Sequence, residues 1–412
     1  MAASAVVEGG PVARTERAYP CLDGARAIAA TAVLLHHVAF WTGDYTPDLV
    51  GRLFARMDVG VAIFFVLSGF LLSRPLFRAA RDGRPAPRTA AYLWRRALRI
   101  LPAYWLTVAA ALLLLPQNDG AGPGTWIRHL TLTQIYGTGN LREGLSHTWS
   151  LCTEVAFYLV LPFAGAALVR LGRRRPDRPG RVLAALAVLA AAGLGWLGWQ
   201  WTAHPFPAGG LDLWLPSYAG WFAAGMALAL LTAADPGWRP VRLATVLGGS
   251  LATCWATAGA LLWIATSPLA GPMGLYEPTA VQAVLKSALY LAVATLFVLP
   301  LVFGDQRRGW TRRALAGPGG RFLGEISYGL FLIHVVVLAG GFAALGLVEF
   351  TGDVAWVALA TWVVSVALAA ALYVLVERPM RRWRDVVPEA PGRRPSVSRA
   401  ATTAATASSA SS

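Results

Sequence analysis

The sequence predicts an all-α fold, a polytopic transmembrane helical bundle with about ten spans and both termini in the cytoplasm. Of the 412 residues, 56% are hydrophobic and only 14% are charged, whereas a soluble domain carries about 25% charged residues. Apolar runs long enough to cross a bilayer recur along nearly the whole chain. These runs are continuous and do not alternate, which is typical of membrane helices and not of a membrane barrel.

Each predicted span is roughly 20 residues long, the length that the hydrocarbon core requires. The segments between spans are short and rich in Gly, Pro or Arg, which separates one apolar run from the next. The spans lie near 23–41, 57–76, 97–116, 148–169, 182–201, 213–232, 243–265, 281–303, 322–346 and 354–376.

Arginine is distributed unevenly over the loops, and this asymmetry predicts the orientation. Positively charged loops remain in the cytoplasm, so both termini are expected there, in the plasma membrane of the cell. The arginine-rich loops are 77–96, 170–181 and 304–321, and the loops without Lys or Arg are 202–212, 266–280 and 347–353.

The chain is predicted to hold one membrane domain, residues 21–385, between a cytoplasmic segment 1–20 and a tail 386–412. The tail is rich in Pro, Ala, Ser and Thr, a composition typical of disorder. No internal sequence repeat is evident, which disfavours the transporters built from inverted repeats.

Charge and cysteine usage limit the partners. The net charge is +15, but the arginines lie in short interhelical loops, which argues against nucleic-acid binding. Cys21, Cys152 and Cys254 lie in or beside apolar segments without paired spacing, so neither a disulfide framework nor a metal site is predicted. We expect no bound cofactor.

The first span, "LDGARAIAATAVLLHHVAFW", carries ionisable residues at both ends. Arg26 and His37 are eleven residues apart, three helical turns plus about 20°, and therefore share a face about 16 Å apart along the axis. His36 points elsewhere. Arg26 alone can be interpreted as an arginine that reaches the headgroups, and His37 as a packed histidine, but intramembrane ionisable residues indicate a functional site by default.

The segment "HTWSLCTE" opens the fourth span. His147, Ser150 and Glu154 form one helical stripe, and His147 is expected at the membrane surface. Glu154 and His37 reach similar depths, so the two would meet if spans one and four pack together. A carboxylate that orients an imidazole prepares it to act as a general base. The alternative is that Glu154 is a structural partner of an arginine or a serine.

Two further motifs face the inner half of the bundle. In "RRALRILPAYW", Arg96 and Arg99 share one helix face, either as a topogenic signal or as a clamp for anionic phosphates. In "FFVLSGFLLSR", Ser68 and Gly69 permit close helix approach, and they could also let a narrow ligand pass.

Taken together, these motifs make the chain resemble the acyltransferase family 3 membrane proteins, which are acyl-CoA-dependent O-acyltransferases. The resemblance covers about residues 20–385. The family's Arg/Lys-x10-His pattern falls on Arg26 and His37, and its Arg-x-x-Arg pattern falls on Arg96 and Arg99. The matching segments are "LDGARAIAATAVLLHH", "VGVAIFFVLSGFLLSR", "RRALRILPAYW", "HTWSLCTEVAFYLVLP", "ISYGLFLIHVVV" and "ERPMRR".

The sequence departs from the family pattern at two places. Many members carry an acidic residue where this chain has Ala62, and an acidic residue or Gln where it has Val155 and Ala156. Glu154 is therefore the only carboxylate in its segment. These differences suggest a subgroup with a different acceptor.

The resemblance implies that acyl-CoA, most simply acetyl-CoA, is a co-substrate that arrives from the cytoplasm. Arg96 and Arg99, with Arg26, would bind its phosphates, and the thioester arm would pass Ser68 and Gly69. His37, oriented by Glu154, would be the general base. The acceptor would be a hydroxyl of a cell-surface glycan or of a secreted small molecule such as a macrolide. The sequence assigns His147, Trp149 and Ser150 to the acceptor.

Two other classes of function remain open at the level of sequence. A proton-coupled transporter or flippase of lipid-linked sugars or small molecules could also use intramembrane Arg, His and Glu. Against it, a transporter places its ionisable groups near the midplane and usually shows repeats. A sensor or scaffold is disfavoured because no soluble module is evident in the chain.

Overall fold

A computed structural model describes residues 19–137, 140–203, 210–274, 276–306 and 308–389. Within these ranges the chain forms helices and no β-strand, so the predicted all-α membrane fold is confirmed. The predicted segment 1–20, apart from its last two residues, and the tail from residue 390 lie outside the described residues. The orientation of the bundle stays a prediction.

The described helices follow one another with short connections. Several contain an internal proline, as is tolerated where neighbouring helices satisfy the freed carbonyl. The helices are α1 (Cys21–Trp41), α2 (Leu49–Ala55), α3 (Val59–Arg81), α4 (Thr89–Leu114), α5 (Pro123–Leu130), α6 (Trp149–Gly172), α7 (Gly180–Ala203), α8 (Leu215–Ala233), α9 (Arg239–Gly249), α10 (Leu251–Ala265), α11 (Ala280–Phe303), α12 (Trp310–Ala316), α13 (Pro318–Leu345) and α14 (Val354–Leu372). A π-helical turn, Tyr373–Glu377, continues α14.

Eight helical spans in the described part of the chain are long and apolar enough to cross a membrane, or nine when α9 and α10 count as one. Helix α1 falls outside that group although it is 21 residues long, because Arg26, His36 and His37 lower its hydropathy. The predicted first span is therefore a helix of the expected length whose polar groups must be covered by protein.

The predicted span 243–265 is wrong as a single straight helix. The chain bends by 87° between α9 and α10. The break follows Gly248 and Gly249, and the Ser250 side chain accepts a hydrogen bond from the Thr253 N–H, which caps the next helix. Two glycines and a capping serine therefore end one helix and begin another within an apolar run.

Helices α1, α3, α8 and α13 form the centre of the bundle, and α6, α7 and α14 lie at its periphery. In the most apolar stretch of α3 67% of the residues are buried by protein, against 17% in α14. Helix α1 packs against α3, α12, α13 and α14. The ionisable residues of α1 are therefore surrounded by other helices and do not face lipid.

The closest helix contact joins α3 to α8. A side chain at Gly69 would collide with the Phe222 carbonyl, and one at Gly225 would collide with the Val66 carbonyl. Small residues at both positions let the two backbones approach. This contact fixes α3, and with it Ser68, at the centre of the bundle.

Candidate active site

Ionisable residues of α1 contribute to two cavities in the described part of the bundle. The first, here called the arginine pocket, is lined by Arg26, Ser68, Arg96, Arg99 and Glu154. The second, here called the histidine cavity, has a volume of about 450 Å³ and is lined by His36, His37 and side chains of the loops at that end of the bundle. Arg26 and His37 line different cavities, as their axial separation predicts.

His37 is held by a carbonyl group of its own helix. Its Nδ1 lies 2.8 Å from the Val33 carbonyl oxygen. A carbonyl only accepts, so Nδ1 carries the proton and Nε2 keeps its lone pair. Nε2 makes no hydrogen bond to a described residue and is not closed off by protein. The nitrogen that can accept a proton therefore belongs to a ring that lines the histidine cavity.

Two further histidines pack against His37. The ring of His334 lies 5.1 Å from that of His37, and the ring of His147 lies 5.9 Å from it, measured between centroids. His334 and His147 are 4.8 Å apart. Both are buried. We call His37, His147 and His334 the histidine cluster.

His147 does not continue the helical stripe predicted with Ser150 and Glu154, and its position at the membrane surface stays a prediction. The residue is 3% exposed, and its Nε2 donates to the Leu332 carbonyl at 3.1 Å. Helix α6 begins only at Trp149, and His147 lies in a short 3₁₀ turn before it. That turn directs the ring into the bundle, which a continuous helical stripe does not predict.

Sequence reasoning missed His334. The residue stands alone in the apolar run "LFLIHVVV" of α13, where a single histidine is more often a packed core residue. Only the packing of α13 against α1 brings it to His37. His334 lies in "ISYGLFLIHVVV", one of the segments that carry the family resemblance. That resemblance is the one feature of the sequence that could have identified it.

The predicted contact between Glu154 and His37 is wrong. The Glu154 carboxylate accepts a hydrogen bond from Ser68, and it faces the arginine pocket with Arg96 close by. His37 bonds Val33 and His334 instead. Glu154 and His37 line different cavities. The alternative that Glu154 is the partner of a serine describes its observed contact.

The arginine pocket brings together four of the five residues assigned to the donor, the three arginines and Ser68. The Nε of Arg96 is buried and makes no hydrogen bond to any described residue. Arg99 and Arg26 line the same pocket, and Arg26 also lies 3.3 Å from Asp23. A buried guanidinium N–H without a hydrogen-bond acceptor destabilises the fold, unless a ligand accepts that hydrogen bond.

Ser68 and Gly69 separate in the structure. Ser68 lines the arginine pocket, whereas Gly69 faces α8 and does not line it. Close helix packing therefore accounts for Gly69, and its assignment to the donor stays a prediction.

The residues assigned to the acceptor do not line the histidine cavity. Trp149 packs on Tyr218 with ring centroids 5.0 Å apart, and Ser150 lines the arginine pocket. The same segment contributes Glu143 and Ser146 to the cavity instead. The assignment of His147, Trp149 and Ser150 to the acceptor stays a prediction.

His36 lines the histidine cavity beside His37. Its Nδ1 lies 2.8 Å from the Tyr45 hydroxyl and 3.3 Å from the Phe54 carbonyl. Burial, with the negative charge of Asp58 adding to it, raises the pKa of Tyr45 well above its ordinary value. Tyr45 therefore stays a neutral donor. His36 Nδ1 is hydrogen-bonded, whereas His37 Nε2 has no hydrogen bond to a described residue.

The remaining charges of the histidine cavity are partly paired. Lys286 lies 2.8 Å from Asp58, and Arg56 donates to the carbonyl of Ala265 at 2.8 Å. Glu143 and Glu349 also line the cavity and form no ion pair with any described residue. Burial raises the pKa of Glu143. The negative charge of Glu349 raises it further, whereas the hydrogen bond from the Gly144 N–H lowers it.

Phe331 contacts both the arginine pocket and the histidine cluster. Phe331 lines the arginine pocket and packs 5.1 Å from the His147 ring and 5.9 Å from the Phe64 ring. The arginine pocket has a volume of only about 80 Å³, whereas ligand sites usually measure about 300–1,000 Å³. A ligand that needs more than this volume must therefore displace side chains that line the pocket, such as Phe64 or Phe331.

Among the described residues, no group of three or more His, Cys, Asp or Glu is arranged to hold a metal ion. The chemistry that the described site offers rests on imidazole, guanidinium and carboxylate groups. It can transfer a proton at His37 and bind an anion at the arginines.

Comparison with known proteins identifies similar sequences along most of the chain. A family model described as an acyltransferase domain matches residues 19–376. Nodulation protein 10 of Rhizobium leguminosarum bv. viciae is 26% identical over 394 residues, covering 88% of this chain and 93% of that protein. Acyltransferase MdmB of Streptomyces mycarofaciens is 25% identical over 397 residues, covering 88% and 92%. No solved structure matches the chain.

Proposed function

The chain belongs to the acyltransferase family, and from that premise we propose that it transfers an acyl group, most simply acetyl, from acyl-CoA to a hydroxyl group. Family membership makes the protein a membrane-embedded transferase. The donor, the acceptor and the residues that act on them are the proposal.

The arginine pocket is proposed to bind the donor. Acyl-CoA carries several phosphates, and guanidinium groups bind phosphate with paired hydrogen bonds. Support comes from the unpartnered Nε of Arg96 and from the presence of Arg99 and Arg26 in the same pocket. Ser68 and Glu154 lie beside these arginines, so in this proposal Glu154 acts on the donor side.

His37 is proposed to be the general base. The acceptor oxygen attacks the thioester carbonyl carbon, and His37 Nε2 takes the hydroxyl proton as the new C–O bond forms. The C–S bond then breaks, and the proton passes from the imidazolium to the leaving thiolate, giving free CoA and the ester. The protonated Nδ1, held by Val33, leaves Nε2 in the state that this step requires.

The acceptor is proposed to enter the histidine cavity. A volume of about 450 Å³ suits one sugar ring or part of a larger hydroxylated molecule. Phe40, Trp41 and Phe350 supply apolar faces there, and the carboxylates of Glu143 and Glu349 supply hydrogen-bond acceptors. A cell-surface glycan or a secreted small molecule such as a macrolide fits this description.

One observation carries the proposal most strongly. A proton-accepting imidazole nitrogen lines one cavity, and a buried guanidinium whose Nε has no hydrogen-bond partner among the described residues lines the other. A two-substrate transferase needs this arrangement, with an anionic donor on one side and a hydroxyl acceptor on the other. Asymmetric arginine loops support a cytoplasmic donor side and a plasma-membrane location.

A direct assay tests the proposal. Purified protein in proteoliposomes is incubated with radiolabelled acetyl-CoA and extracts of surface glycans or secreted metabolites, with His37→Ala as the inactive control. We expect label in an ester of one extract fraction only with the wild-type protein. Mass spectrometry of cells with and without the gene then identifies the acceptor. Absence of transfer from any acyl-CoA, with intact protein, would refute the proposal.

A further inference from the structure

His334 makes the one side-chain hydrogen bond that reaches His37 within the described residues. The His334 Nε2 lies 3.3 Å from His37 Nδ1. These residues are distant in sequence and come from two helices, α1 and α13, that pack extensively against each other.

The protonation of both rings follows from their carbonyl partners. His334 Nδ1 lies 2.7 Å from the Phe331 carbonyl and therefore carries a proton. Its Nε2 then holds a lone pair, directed at the Nδ1–H of His37. The same Nδ1–H also serves the Val33 carbonyl, so it is shared between two acceptors.

We propose that His334 is the positioning residue that orients His37 and stabilises the imidazolium formed during transfer. This inference rests on the proposed role of His37 as base. When Nε2 of His37 takes up a proton, its Nδ1–H becomes a charged donor, and hydrogen bonds to a charged group are stronger than neutral ones. His334 occupies the position that a carboxylate would take in a conventional base and orienter pair.

Because His334 is buried, its Nε2 lone pair is an acceptor for His37 that no other described side chain replaces. His334 is fully buried, so water does not substitute for it. No carboxylate of a described residue hydrogen-bonds His37, and the Glu154 carboxylate accepts from Ser68 in the arginine pocket. His147 does not replace His334 either, since its Nε2 is bonded to Leu332 and no hydrogen bond joins it to His37.

The test combines kinetics with spectroscopy of the resting enzyme. We expect His334→Ala to lower kcat about 10- to 100-fold and to leave the KM for acyl-CoA within about twofold. His334→Gln should recover part of the loss, because its amide oxygen accepts the same hydrogen bond. His129→Asn is the matched control, a buried histidine of α5 that is bonded to a carbonyl four residues earlier and lies outside both cavities.

The chain has six histidines, so histidine-selective ¹⁵N labelling gives a spectrum that single variants can assign. The His37 Nδ1–H proton, identified by its loss in His37→Gln, should move upfield in His334→Ala and stay in place in His129→Asn. An unchanged kcat in folded His334→Ala, or an unmoved resonance, would overturn the proposal. If the wild-type protein transfers no acyl group at all, the proposed function fails, while the resonance still reports whether His334 and His37 are paired.

Discussion

Ser68 donates a hydrogen bond to the carboxylate of Glu154 and thereby joins α3 to α6 inside the arginine pocket. This bond places a negative charge beside Arg96 and away from the histidine cluster. It explains why a glutamate stands at the start of an apolar helix: it balances buried positive charge.

Replacing Glu154 by glutamine should keep the bond to Ser68 but remove the charge that balances Arg96. We expect a loss of stability on the order of 1–3 kcal/mol, measured by thermal unfolding in detergent, and a larger stabilisation by added acyl-CoA than in wild type. The His37 Nδ1–H resonance should not move. A shifted resonance with unchanged stability would instead support direct action of Glu154 on His37.

Removing the guanidinium of Arg96 should weaken donor binding. Arg96→Ala is expected to raise the Kd for acyl-CoA about tenfold or more, and Arg96→Lys should restore it only in part, because lysine lacks the paired donors. Isothermal titration in detergent measures both. Arg95→Ala is the control, since Arg95 pairs with Glu389 at 2.7 Å outside the pocket. Equal affinities in all three variants would return Arg96 to a topogenic role.

The two adjacent histidines should differ in their effect on turnover. His37→Ala should lower kcat by about 10²–10⁴ and leave acyl-CoA affinity unchanged. His36→Ala should retain most of kcat and raise the KM for the acceptor, because His36 is engaged by Tyr45 and Phe54 at the cavity wall. Steady-state kinetics with each substrate varied in turn separates these effects, and the opposite ranking would assign the base to His36.

Shortening Phe331 should widen the passage between the cavities. Phe331→Ala is expected to raise kcat/KM for longer acyl-CoA donors relative to acetyl-CoA, because the ring packs at the end of the arginine pocket. Phe342→Ala controls for lost packing, since Phe342 is equally buried and contacts Trp41. If kcat/KM depends on acyl-chain length in the same way in both variants, Phe331 has no gating role.

Glu143 gives a prediction for stability against pH. Its pKa is raised by burial and by Glu349, so the folded state resists its ionisation. A group of this kind destabilises the fold as pH rises from the ordinary carboxyl pKa through the raised one. Glu143→Gln should therefore be more stable than wild type at neutral pH, with the difference shrinking as pH falls towards the ordinary carboxyl pKa. Unfolding temperatures across that range test this, and a constant difference would contradict it.

The fold was predictable from sequence because each element carries its own signal. Each apolar run, and each arginine-rich loop, can be recognised from its own short stretch of sequence. Nearly every predicted span matches a helix. The exception, the bend at Ser250, depends on two glycines and a cap whose effect within an apolar run is not decided by local sequence.

The site was only partly predictable. Helical phase predicted one face of α1 for Arg26 and His37, and each of the two lines a cavity. It failed for His147, because a 3₁₀ turn precedes α6. It could not identify the partners of His37 and Glu154, because these depend on which helices pack between them. His334 and Ser68 became partners only through the positions of α13 and α3.

Helix α1 raises a question of biogenesis. It is synthesised before the helices α3, α12, α13 and α14 that pack against it, yet its polar residues make it a poor candidate for stable insertion by itself. The helix that covers it most extensively, α13, is synthesised much later. Nascent chains truncated before α13 should therefore hold α1 loosely, exposed to membrane proteases and chaperones, and α1 reaches its final packing only after α13 has been made.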